Sequence, residues 1–122
     1  MNERRKYPRA HIDYVTVEVY KTSRPNTTEI IEICTVVDLS ENGMCFLSDS
    51  TFSSKQRLFL TFVLPESMVI IRTDAIVVHS DPSMEQKFSV GVQFIDPGLT
   101  ELQLMKHFIN KWMLSHKQQH PD

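Results

Sequence analysis

The sequence predicts an all-β fold with one C-terminal helix, arranged as a six-stranded antiparallel β-barrel. Three observations lead there. Apolar and polar residues alternate with period two through most of the chain, the period of a strand with one buried face. The connections between these runs are short and polar, whereas parallel pairing needs crossover helices that the sequence does not supply. Only near the end does the apolar period lengthen to that of a helix. Closing six strands into a barrel also removes the edges that an open sheet would expose.

The first strand is IDYVTVEVY, in which Val15, Val17 and Val19 share one face and Tyr14, Thr16, Glu18 and Tyr20 the other. The segment SRPNTT at 23–28 is turn chemistry. The second strand, EIIEICTVVDL, alternates Ile31, Ile33 and Val37 against Glu32, Cys34 and Val36. GMCFLS, RLFLTFVLP, MVIIRTDAIVVH and KFSVGVQFI follow, separated by SDSTFSSKQ, PES and DPSMEQ. In the last of them Phe88, Val90, Val92 and Phe94 fall on one face. The closing stretch DPGLTELQLMKHFINKWMLSHK then places Leu102, Met105, Phe108, Ile109, Trp112 and Met113 at helical spacing. Thr100 with Gln103 reads as a capping box, and Leu99 with Leu104 as a hydrophobic staple. The apolar stripe most simply packs on an open end of the barrel, the alternative being a partner-binding or dimerising helix. The expected organisation is one domain, with a basic arm over 1–11, the barrel over 12–97 and the helix and tail over 98–122.

Bulk properties bound the function. A chain of 122 residues with 41% hydrophobic and 23% charged residues fits one globular domain. No apolar run approaches the length of a membrane span, and no apolar stretch follows the polar N-terminus, so a cytoplasmic location without membrane insertion is expected. Cys34 and Cys45 lack metal-ligand spacing and read as buried, reduced thiols. The net charge of -2 argues against coating nucleic acid. Its distribution is uneven, because Arg4, Arg5, Lys6 and Arg9 against Glu3 leave residues 1–9 at +3 and the remainder at -5. A short cationic arm on an acidic body suits a small anionic ligand.

Catalytic patterns are weak. Asp38, Ser40 and His79 are the residue types of a hydrolytic triad, but no nucleophile elbow surrounds the serine. His116 and His120 share a metal-like spacing in a tail that reads as solvated, and no P-loop or dinucleotide fingerprint is present. No cofactor or metal is expected. Two segments stand out instead: RRKYPR at 4–9 and DLSENG at 38–43. Asn42-Gly43 is a hairpin signal, since a tight turn needs positive φ and glycine supplies it without steric cost. That leaves Asp38 and Ser40, which at i and i+2 near a strand end project from one face. A carboxylate beside a hydroxyl suits the guanine edge, accepting from N1–H and the exocyclic amine. Arginine complements the other edge at O6 and N7, stacks on the ring, and pairs with phosphate.

R-x-x-x-R at Arg5 and Arg9, followed by D-x-S-x-x-G at Asp38, Ser40 and Gly43, resembles the PilZ domain family. GVQF at 91–94 is similar to that family's G-[IV]-x-F in the last strand. The resemblance covers nearly the whole chain and implies a six-stranded barrel, often with a C-terminal helix. It also implies a bacterial, non-enzymatic receptor for cyclic di-GMP that passes the signal to a downstream protein partner. By position, Arg5 and Arg9 are then arm ligands for phosphate and guanine, Asp38 and Ser40 guanine-edge ligands, and Gly43 the turn residue. Arg4, directly before the arginine motif, implies an intercalated pair of ligand molecules. The sequence departs from the family where many members carry tryptophan at the end of the penultimate strand. Here stands His79, either a base contact or a surface histidine. A PilZ-like interaction module that binds no nucleotide is the alternative, although such modules lose the arginine and Asp-x-Ser positions that this chain keeps.

Overall fold

A computed structural model describes residues 10–12, 15–21 and 30–117. It contains strands β1 (Ala10–His11), β2 (Thr16–Tyr20), β3 (Ile30–Leu39), β4 (Gly43–Ser48), β5 (Arg57–Val63), β6 (Ile70–Pro82) and β7 (Phe88–Ile95), followed by helix α1 (Leu99–Lys117). Every pairing is antiparallel, in the order β3-β2-β5-β6-β7-β4, and β4 pairs back on β3 to close the barrel. β1 and β2 lie end to end along one edge of β3. Ile12 N–H donates to Val37 O, and Val36 N–H donates to Val15 O, between the two paired stretches. They act as one stave, so seven strand segments make the expected six-stranded barrel.

The alternation in the sequence fills the interior. Val15, Val17 and Val19 of the first stave, Leu58, Leu60 and Phe62 of β5, and Val90, Val92 and Phe94 of β7 are all buried. Burial of each such large side chain stabilises by about 1.5–3 kcal/mol. Phe62 stacks on Phe94 with ring centroids 6.2 Å apart, and Phe52 packs edge-on against Phe46 at 6.4 Å. On β3 the inward face belongs to Cys34 and Val36, leaving Ile31 and Ile33 outside. Burial raises the Cys34 thiol to about 12, with the Glu32 carboxylate adding to the effect. Cys45 departs from the expected burial: it is only partly covered, because it faces out of the barrel between the inward Met44 and Phe46.

Helix α1 covers one mouth, as its stripe predicts. Met105, Phe108 and Ile109 join the core, with Leu104 and Trp112 partly buried against it. Lys106 reaches Glu41 in the β3–β4 turn, and Lys111 reaches Glu66 in the β5–β6 loop, each at 3.5 Å. The helix start differs from the expected capping box. Leu102 N–H donates to Gly98 O, so Gly98 is the residue that opens the helix and Thr100 already lies inside it. Glu101 folds back over Gly98, and Leu99 is exposed rather than stapled to Leu104. β6 also runs further than expected, through Asp81 and Pro82, which pair with Ser89 and Phe88.

Candidate ligand-binding site

Two β-bulges build the site. Along β3 the inward residues are Cys34 and Val36, so unbroken alternation would point Asp38 into the core. A bulge between Val36 and Asp38 restores Leu39 to the interior and sets Asp38 opposite Cys45. Along β6 the inward residues are Ile71, Thr73, Ala75 and Val77, and a bulge between Val77 and His79 turns the histidine outward, opposite Gly91. Bulges commonly re-aim side chains in this way. Since Cys45 also pairs with Gly91, the residues Asp38, Cys45, Gly91 and His79 form one row across four strands of the outer wall.

This row is the floor of a hollow of about 460 Å³, walled by Ser40, Asn42, Gly43, Val78 and Gln93. Its size lies within the range of small-ligand pockets. A second hollow, under the β5–β6 loop, is lined by Val15, Phe62, Val63, Pro65 and Met68 among others and is mainly apolar, offering little to orient a polar ligand. Among the described residues no cluster of His, Cys, Asp or Glu is arranged to hold a metal ion.

The polar groups of the first hollow are held in different ways. The Ser40 hydroxyl accepts from the backbone N–H groups of Asn42 and Gly43, at 3.2 Å each, and donates to Gly43 O at 3.3 Å. Ser40 N–H also donates to Gly43 O at 2.9 Å. The serine therefore knits the turn that it was expected only to accompany. Gly43 has a reason other than the expected one. No glycine here has positive φ, and Gly43 is the first residue of β4. A Cβ on it would stand 2.1 Å from Val92 O, so glycine is required by the close approach of β7. At Gly91 a Cβ would meet Nε2 of His79 at 2.2 Å, which shows that the imidazole lies over the glycine. Nδ1 of the same ring is 3.0 Å from Oδ2 of Asp81. Cys45 Sγ lies 3.1 Å from Ser89 Oγ.

Asp38, Ser40, Gly43 and His79 are thus brought to one hollow. Arg4, Arg5 and Arg9 lie outside the described residues, although β1 begins directly after Arg9 and sets His11 opposite Asp38. Cys45, Gly91, Val78 and Gln93 were not singled out from sequence. Only Gly91, within GVQF, carried a signal there. Asp38 and His79 stand on strands three spacings apart along the row, and the Ser40 hydroxyl bonds only backbone groups of its own turn, so Ser40 is not paired with His79 as a catalytic triad requires.

The PilZ domain family matches residues 3–111. A search of curated proteins finds no match. Solved structures do match. The Bacillus subtilis inhibitor of motility MotI/DgrA shares 20% identity over 93% of this chain and 53% of its own, with a TM-score of 0.79. The K. pneumonia MrkH–c-di-GMP complex shares 16% over 97% of this chain and 56% of its own, with a TM-score of 0.77. The PilZ domain of YcgR from Escherichia coli, solved with c-di-GMP, shares 12% over 98% of this chain and 99% of its own, with a TM-score of 0.67. The chain spans about half the length of the MotI and MrkH chains. With the family match reaching from the arginine motif into α1, and the same barrel in all three structures, this chain belongs to the PilZ domain family.

Proposed function

We propose that this chain is a cyclic di-GMP sensor and adaptor with no catalytic activity of its own. The observation that carries the reading is the row from Asp38 to His79, a polar floor four strands wide beside the Ser40 turn. A floor of that width suits a ligand with two purines. Asp38 accepts from the guanine N1–H and amine. Ser40 contributes by re-aiming its O–H, whose 3.3 Å bond to Gly43 O is long for a hydroxyl donor and is the weakest of its three. Gly43 keeps the turn close to β7, and His79 contacts a base from the far end of the row. Arg5 and Arg9 bind phosphate and guanine from the arm, and Arg4 serves an intercalated second ligand molecule. MrkH and YcgR, with the same fold, were solved with c-di-GMP.

The arm has few apolar residues of its own to bury, so ligand contacts must supply the free energy that orders it. Fixing each residue costs about 1–2 kcal/mol, and charge-assisted bonds to phosphate offset this. The ordered arm then alters the surface offered to a downstream protein, in the cytoplasm. The test is calorimetric titration with cyclic di-GMP, cyclic di-AMP and GTP side by side. Binding of the first alone is expected, and a flat cyclic di-GMP trace with folded protein overturns the reading.

A further inference from the structure

Beside the floor of the hollow lies a second register row. Gly43 pairs with Gln93, Gln93 with Ile76, and Ile76 with Arg57. Gly43 and Gln93 stand two residues from Cys45 and Gly91 on their strands, so this row faces the same outer side as the floor. It starts at the Ser40 turn, where Ser40 N–H donates to Gly43 O. Gln93 walls the hollow, Ile76 is half-buried, and Arg57 is exposed at the far end. Among the described residues Arg57 forms no ion pair or hydrogen bond. Asp74, two residues along β6 from Ile76 and opposite Phe59, keeps Oδ1 buried and without a hydrogen-bond partner instead of turning it to the guanidinium.

The row on the other flank of the floor ends in the opposite charge. Leu47 pairs with Ser89 and Ser89 with Asp81, whose carboxylate holds His79, and nearby Lys87 is taken by Asp49 at 2.7 Å. On the Arg57 side Lys55 adds a second cation, its backbone N–H bonded to Val77 O at 2.7 Å. An anionic ligand on the floor is therefore drawn toward Arg57 and away from Asp81. A guanidinium has five donors and no acceptor, so only an acceptor can meet it, and the charged acceptors of a cyclic dinucleotide are its phosphate oxygens. Resting on the nucleotide-binding reading above, we infer that Arg57 is a ligand contact on the barrel wall, holding a phosphate of cyclic di-GMP that extends from the floor across the row of Gln93 and Ile76. The binding surface is then two rows deep. Because Arg57 sits on β5 inside the closed barrel, its contact needs no ordering of the arm, and it adds to the cations that the arm supplies.

The experiment is calorimetric titration of the whole chain with cyclic di-GMP, comparing Arg57→Gln with Arg72→Gln. Each removes one positive charge from an exposed strand position, so general attraction for anions falls equally in both. Arg72, however, lies opposite Thr61 in the row of Glu18, away from the hollow. Arg57→Gln should weaken binding about tenfold or more, as loss of a charge-assisted hydrogen bond does. Arg72→Gln should change it less than about twofold at physiological ionic strength, where distant charges are screened. Both melts should stay within a few degrees of wild type, since neither side chain enters the core. Unchanged affinity in Arg57→Gln, with wild-type binding intact, overturns this inference alone. An equal loss in the two variants overturns it as well, because the effect is then one of net charge. Absence of binding in wild type overturns the nucleotide reading and this inference together.

Discussion

Single side chains in the hollow separate binding from folding. Asp38→Asn removes the acceptor charge while keeping the shape, and should cost about 1.5–3 kcal/mol of cyclic di-GMP binding. Ser40→Ala should instead cost about 1–2 kcal/mol of folding stability with or without ligand, because it strips the acceptor from the Asn42 and Gly43 N–H groups. Thermal melts beside titrations check both, and an unchanged Ser40→Ala melt would remove the serine from the turn. The two glycines offer a sharper contrast. Gly43→Ala drives a Cβ into Val92 O, a backbone atom that cannot step aside, and should destabilise by about 3 kcal/mol or more. Gly91→Ala meets only the tip of His79, so its melt should stay within about 1 kcal/mol of wild type while binding weakens.

Strands and helix differ in how far they were legible. The alternation of Val15, Val17 and Val19, and of Val90, Val92 and Phe94, announced both staves because these runs are regular and buried on one face. The stripe of Met105, Phe108 and Ile109 announced α1 for the same reason. Where a strand breaks its own period, local pattern misleads. Nothing in the residues from 36 to 39 or from 77 to 79 marks a bulge, and the row that joins Asp38 to His79 exists only through register across β3, β4, β7 and β6. The Asn42-Gly43 pair was read as turn chemistry, but its glycine answers a contact with Val92, 49 residues away in sequence, that local signals cannot carry. The helix cap was misplaced because Gly98, with no side chain, gives a weaker signal than Thr100. Trp112, the only tryptophan, packs edge-on to His11 of β1 at 6.5 Å, two residues from Arg9. Cyclic di-GMP should therefore change its fluorescence. Deleting residues 1–9 should abolish that change and the binding, yet leave the melting temperature of the free protein within a few degrees, since Ala10 and the pairing that follows remain. A large drop in melting temperature would make those residues part of the barrel.

For the whole molecule, stoichiometry and charge go together. On the proposed reading a single cyclic di-GMP is largely satisfied by Arg5, Arg9, Asp38 and Ser40, which leaves Arg4 for a second. An end point near two equivalents is expected at protein concentrations well above the dissociation constant, falling toward one in Arg4→Ala. One equivalent in wild type refutes the pair. Added salt should weaken binding without moving the end point, because screening acts on affinity rather than on the number of sites. The hollow lies on the outside of a wall whose inner face is core, and α1 closes one mouth of the barrel behind it. Ligand can arrive and leave without any strand parting. On the proposed reading residence time is then set by how fast the arm lets go, not by how often the barrel breathes, so a variant that gains several degrees of thermal stability should release its messenger no more slowly.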